Sequence, residues 1–420
     1  MRITAPTAAE PVPLEGLDLT DPRLYSAGDP HAVWRTLRAQ APVFRQELPD
    51  GRAFWSVTRY DDCCRVLGDS AAFTSSRGAI LAMLGTPDPA GGHQMAVSDP
   101  PRHTHLRLPQ QQLLTHAAVA PRVPAIRAAV SDLLAPLCRG EGVFDLGAAM
   151  CLMPMLVSGM LMGLPSEDYG SLTRLGLMTV APDDPEFQVD GDAHATLRAA
   201  HTGLFAYFSD QIAHRRRSAP PDLGDRDLVG RLMTMRVEGS PLRDGEVVSN
   251  CYSMLLGANV NTGHVVSAAL LHLLDDPEQY DRWSAGPPAL LRSGIREALR
   301  WSSPVLHFLR YAAADTEIRG VPVAAGDGVV AWIASANRDD DVFADPYAFR
   351  VDRRPNNHIA FGYGPHTCIG APAGLLTLQV AFEEIFRHVE RLELAGPVEH
   401  LASNFTAGIR HLPVLARRRR

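Results

Sequence analysis

The string FGYGPHTCIGAP at 361–372 constrains this chain more than any other feature. Gly362, Gly364 and Gly370 crowd one cysteine, Cys368, and Pro365 and Pro372 stiffen its flanks. Glycine and proline at that density break both helix and strand, so the segment reads as a shaped loop. A helical pattern begins just after it. Glycines let the backbone approach a flat ligand closely. Backbone N–H groups at the start of the following helix can point at the sulfur and favour its thiolate. A thiolate held in this way is a good iron ligand. Cys63, Cys64, Cys138, Cys151 and Cys251 sit in helical or strand-like stretches and read as small buried hydrophobes. No CxxC pair occurs, and the scatter fits neither a zinc site nor a disulfide framework.

Length alone, 420 residues, would allow two or three domains of about 150 residues. No repeat and no shift in composition marks a linker, so residues 1–420 read as a single domain. Residues 1–20 are expected to be a flexible arm and 417–420 a flexible tail. A helix is expected over 29–43, then a β-hairpin over 45–58 around a Pro-Asp-Gly turn. From Thr58 to Trp301 most segments show helical periodicity, broken by loops at 76–101, 181–193 and 218–227. Beyond Arg310 comes a strand-and-turn region, followed by a loop to Cys368, a helix over 371–390 and short strands. The fold class is mainly α with small β-sheets.

The net charge of −7 argues against a general nucleic-acid binder. All 40 basic residues are arginine, a bias of composition and not of chemistry. The amino-terminal segment lacks the apolar stretch of a signal peptide, so a reducing, cytoplasmic setting is expected. Leu146 to Ser166 carries no charge, but it holds Pro154 and Ser158 and lacks a basic anchor. It reads as a buried core helix and not a membrane span.

Phe361, Gly364, Cys368 and Gly370 form F-x-x-G-x-x-x-C-x-G, which resembles the haem-ligand signature of the cytochrome P-450 family. Three further segments in matching order strengthen the resemblance. Glu297-Ala298-Leu299-Arg300 resembles the family's E-x-x-R, whose two side chains share one helix face. Arg353 stands where a third partner is expected, and the implied role of all three is structural support of the cysteine loop. DPPRHTHLR at 99–107 is similar to a family segment that binds a haem propionate through His103 and Arg107. Arg310 and His358 occupy positions of further propionate partners, and Pro109 should distort or shorten that helix.

The third segment is the helix containing MLLGANVNTGHVV, which resembles the family's oxygen-binding helix, A-G-x-[DE]-T-T. Gly257 and Ala258 take the first two positions, Val260 the acid, Asn261 the alcohol and Thr262 the second threonine. Ala258, Val260, Asn261 and Thr262 are therefore the catalytic candidates. Valine cannot relay a proton, and asparagine can hold a water without titrating. The resemblance then implies proton delivery by substrate or by water ordered on Asn261. A second departure follows the cysteine, where Leu375 and Thr377 replace the family's usual arginine and glutamate.

The resemblance implies a triangular helical prism with haem b between the long central helix and the cysteine-loop helix. It implies Cys368 as axial ligand and metal residue, with Phe361, Gly362, Gly364 and Gly370 shaping the loop. Electrons would come from NAD(P)H through a separate ferredoxin reductase and ferredoxin to a monomer free of membrane and nucleic acid. The implied reaction is O₂-dependent oxidation of a small organic molecule, hydroxylation or epoxidation of a secondary-metabolite intermediate. Oxidative aryl or C–C coupling and a non-catalytic haem-binding partner protein are the alternatives. Leu81, Met83, Leu84, Val305, Leu306 and Phe308 are substrate candidates that plain core packing would explain as well. Gly85, Gly91 and Gly92, with Pro87 and Pro89, suggest a mobile lid.

Overall fold

The computed structural model describes residues 10–218 and 223–419. Its centre is an apolar rod, Asp244–Leu273, made of the helices Asp244–Asn259 and Thr262–Leu273. The rod is long and apolar enough to cross a membrane, yet 72% of its most apolar stretch is buried inside the protein. It crosses the helix Leu146–Met162 so closely that a Cβ on Gly263 would lie 1.8 Å from the Met150 carbonyl oxygen. That second helix starts where Asp145 accepts from Ala148 N–H and stops at Gly163, which has φ +67°. Most of its methionines and leucines, among them Leu146, Met150, Met153, Met155, Leu161 and Met162, are buried, as a core helix requires. The helix Ala371–His388, which leaves the cysteine loop, also packs against the rod.

A five-stranded sheet runs in the order Val43–Glu47, Ala53–Val57, Gly328–Trp332, His307–Ala312, Phe73–Thr74. The first two strands form the expected hairpin, with Val43 opposite Val57 and Glu47 opposite Ala53. Only the pairing of Ala53–Val57 with Gly328–Trp332 is parallel. One apolar cluster beside this sheet gathers Tyr25, Trp34, Phe54 and Trp332.

Two terminal expectations are corrected. Residues 1–9 of the expected arm lie outside the described residues, but the rest of it is packed. Leu19 is fully buried, its N–H donates to Gln46 Oε1, and Val12 N–H donates to Thr36 Oγ1. Leucines spaced along a short segment give it apolar surface to bury. The expected tail is also structured: Arg417 and Arg418 belong to the strand Pro413–Arg418, paired with Val389–Leu394. Arg417 also donates to Glu390 Oε1, so backbone pairing and an acidic neighbour hold what composition alone made look free. Arg420 lies outside the described residues.

Candidate active site

The cysteine loop is built from its own backbone. Gly362 N–H donates to Ile359 O at 2.8 Å, and Cys368 N–H donates to Phe361 O at 2.7 Å. Gly362 and Gly364 have φ of +75° and +71°. At Gly364 a Cβ would also lie 2.6 Å from Gly68 Cα, so the turn needs glycine twice over. Gly370 has an ordinary φ of −85° and opens the next helix. Cys368 keeps exposed surface, but dense protein surrounds it: the sulfur sits in a recess. Burial pushes its thiol above the ordinary value, against the pull of Gly370 N–H, the Arg107 charge and Ala371 N–H.

Linked to this loop through Asn337 is the Glu297 cluster. Arg300 donates to both Glu297 oxygens at 2.8 Å, and Arg353 Nε reaches them at 3.0 and 3.1 Å. Asn356 Nδ2 and Arg350 N–H donate to the same carboxylate. Burial opposes the charge on Glu297, but the hydrogen bonds and charges of Arg300 and Arg353 hold its pKa below the usual carboxylate value. Arg300 also donates to Asn337 O, while Asn337 Oδ1 accepts from Ile359 N–H. The cluster is thereby tied to the residue on which the cysteine loop turns.

Beside the sulfur the structure brings together His103, Arg107 and Arg310, and adds His366. His103 and Arg107 share the helix Arg102–Gln112, which continues through Pro109 and ends three residues later. Arg310 lies on the strand His307–Ala312, and His366 belongs to the cysteine loop. The His103 and His366 rings are 4.2 Å apart, and Arg107 Nη2 donates to Thr367 O at 2.6 Å. Burial and then the neighbouring positive charges lower His103 to about 4 and His366 to about 2. Burial lowers Arg310 to about 10. His103 Nε2 is buried without a hydrogen-bond partner. His366 has a support of its own: Ser75 Oγ lies 3.3 Å from its Nε2 and donates to Asp99 Oδ1 at 2.8 Å. His358 Nε2 is likewise buried and unpartnered, but the charges acting most on that ring are Arg296, Arg300 and Glu297.

The central rod breaks at Val260 and Asn261, whose ψ angles of 4° and −50° lie at the junction of its two helices. Gly257, Ala258, Asn261 and Thr262 keep accessible surface there, and a Cβ on Gly257 would meet nothing within 4 Å. Asn261 Nδ2 is 3.4 Å from Gly257 O, and Asn261 Oδ1 is buried without a partner. Thr262 Oγ1 faces Gly374 of the helix that follows the cysteine. Val260 is separated from these residues. It is 3% exposed and points at Gly176 of the helix Tyr169–Val180, the opposite side of the rod.

The substrate candidates divide. Leu81, Leu84 and Leu306 are buried in the cluster around Trp34 and Trp332, so the structure packs them as core. Met83, Val305 and Phe308 keep surface, and Phe308 reaches the space beside Gly362. The expected lid is stitched down. Met95 N–H donates to Asn250 Oδ1, Gln94 Nε2 to Ser249 O, and Arg102 Nη2 to Glu246 Oε1, which lies 3.0 Å from His93 Nδ1. Arg52 holds the Leu84 carbonyl at the other end.

The Cytochrome P450 family model matches residues 289–399, which include Glu297, Arg300, Arg310, Arg353, His358 and Cys368. The chain is 31% identical to linalool 8-monooxygenase of Pseudomonas putida, over 96% of this chain and 99% of that one. It is 32% identical to cytochrome P450 NovI of Streptomyces niveus, over 98% of both chains. Among solved structures, P450 OxyD, involved in the biosynthesis of vancomycin-type antibiotics, matches with a TM-score of 0.84 and 32% identity, over 96% of this chain and all of that one. A recessed cysteine on a loop tied to a buried Glu-Arg-Arg cluster, within a helical fold and a sequence shared along almost its whole length, places this chain in the cytochrome P450 family as a monooxygenase.

Proposed function

We propose that this protein is a haem b monooxygenase acting on a small secondary-metabolite intermediate, by hydroxylation or epoxidation. The observation that carries the reading is the Cys368 sulfur, recessed beneath the Gly370 and Ala371 N–H groups and within reach of the Arg107 charge. These residues fit the cofactor. Haem brings two carboxylates, and here Arg107 and Arg310 supply positive charge beside the neutral rings of His103 and His366, with Asp99 as the acidic neighbour. The unpartnered Nε2 atoms of His103 and His358 are donors that such carboxylates would satisfy. Cys368 would supply the thiolate that holds the haem iron. When bound, the haem would activate dioxygen for oxidation of the substrate.

The chain's own residues do the rest. Asn261 Oδ1 is a buried acceptor without a partner, on a residue that keeps accessible surface; it is suited to hold a water, and Thr262 offers a hydroxyl one position on. Phe308, Met83 and Val305 give the substrate an apolar wall. NovI and OxyD support the natural-product context, and linalool 8-monooxygenase supports oxidation of a small apolar molecule. Electrons would pass from NAD(P)H through a ferredoxin reductase and ferredoxin to a monomeric enzyme. The absence of a titrating acid at Val260 favours oxidative coupling as the second reading.

The test is the carbonyl complex of the reduced protein. The wild type should give a thiolate-type spectrum, and Cys368→Ser should lose it. A protein that takes up no haem, or shows imidazole-type coordination, overturns the assignment. Isotopic oxygen in the product separates insertion from coupling.

A further inference from the structure

Away from the cysteine, a cavity of about 320 Å³ opens between the helix Pro288–Ser302 and the loop after Arg353. Arg292, Arg296, Arg353 and Arg354 line it, and none of its lining residues is acidic. The charge of Arg353 is matched by Glu297. Arg292, Arg296 and Arg354 are exposed and form no ion pair among the described residues. Arg296 is held in place, donating through Nη2 to Asn356 O at 2.9 Å. Asn356 also lines the cavity and is only 8% exposed. Its Nδ2 is used by Glu297, but its Oδ1 is buried and unpartnered.

Charge and size narrow the occupant. Guanidinium forks match phosphate and carboxylate oxygens two at a time. One carboxylate would leave most of the charge on three arginines unmatched, and one phosphate carries about two charges at most. The cavity holds roughly ten times the ~30 Å³ share of a single water. That is at the lower end of small-molecule pockets, which begin near roughly 300 Å³, and larger than one phosphate needs. We propose that this cavity binds a diphosphate group, held by Arg292, Arg296 and Arg354.

Two members of the cavity, Arg353 and Asn356, also belong to the Glu297 cluster, so the occupant braces the segment leading to the cysteine. Calorimetric titration of the holoenzyme with inorganic pyrophosphate, orthophosphate and ADP tests this. Saturable one-to-one binding of pyrophosphate is expected, at least tenfold tighter than orthophosphate. Arg292→Gln should weaken it at least tenfold, and Arg354→Gln, at an exposed position, should weaken it too. ADP binding more tightly than pyrophosphate would identify a nucleotide as the source, and equal binding the diphosphate alone; both support the site. No saturable binding, equal affinity for orthophosphate, or affinity unchanged in both variants overturns it. The readout does not use the haem spectrum, so failure here is distinct from failure of the haem-thiolate reading.

Discussion

Asn261 carries the most specific expectation at the scale of single residues. Its amide replaces a group that would ordinarily hand on a proton, and its Oδ1 is buried without a partner. Asn261→Ala should lower turnover by at least ~10-fold, less than the ~100-fold at which proton-transfer groups begin, because the amide orders a water and does not itself titrate. The same variant should raise the hydrogen peroxide formed per NAD(P)H consumed. Unchanged turnover and unchanged peroxide would remove Asn261 from proton delivery. At this scale the sequence was most readable where residues act within one short string. Cys368 and its glycines, or Glu297 with Arg300, announce themselves by spacing. His366 stands in that same string, two positions before the sulfur, yet only the structure shows its ring against His103. The Ser75 and Asp99 support for His366 could not be read, because no local pattern encodes a contact between residues 291 positions apart.

Segments are held here by carboxylates that each collect several donors. Glu297 is fully buried, so Glu297→Gln would leave Arg300 and Arg353 facing a neutral partner. Breaking a buried pair costs about 3–5 kcal/mol. The variant should therefore melt several degrees lower and fail to retain haem, whereas a silent substitution in thermal denaturation would contradict the assigned support. Glu246 does the same for the loop at 91–97. Burial opposes its charge, but hydrogen bonds from Arg243 and His93 hold its pKa at about 2. A depressed carboxylate stabilises fully above its unfolded value near 4.5 and loses that contribution as pH falls toward 2. Glu246→Gln should bring the acid-loosened state to neutral pH, seen as faster amide exchange at His93, Gln94 and Met95. Glycine and proline made this loop look mobile, because composition reports what a backbone can do and not which distant side chains restrain it. The interruption of the rod at Val260 was equally hidden, since its apolar periodicity runs through the break.

Over the whole molecule, long-range pairs join parts that are distant in sequence. His411 links Asp145, at the start of the helix Leu146–Met162, to Glu186 in the loop after Val180, at 2.5 and 2.8 Å. The Asp145 hydrogen bond raises the His411 pKa above its ordinary 6.5, assisted by Glu186. A raised histidine stabilises fully below its unfolded value, and that contribution fades as pH climbs through the folded value. The Tm advantage of wild type over His411→Gln should therefore be present below about pH 6.5 and shrink above it. With the side chain one-third exposed, the difference is modest. A Tm difference that grows with pH would reverse the assignment. The general architecture was legible from periodicity and motif order; the packed ends were not, because arginines at the terminus carry no sign of the strand they complete.

The cluster around Glu297 has one more consequence. Between Asn337 and Gly364 the chain has no regular helix or strand, and side chains replace the ladder of backbone bonds that would otherwise fix it. Such a stretch has no partly ordered form to retreat to: remove the shared carboxylate and every tether slackens at once. Heating should therefore bleach the protein and unravel it in a single step, with no colourless but still folded species in between.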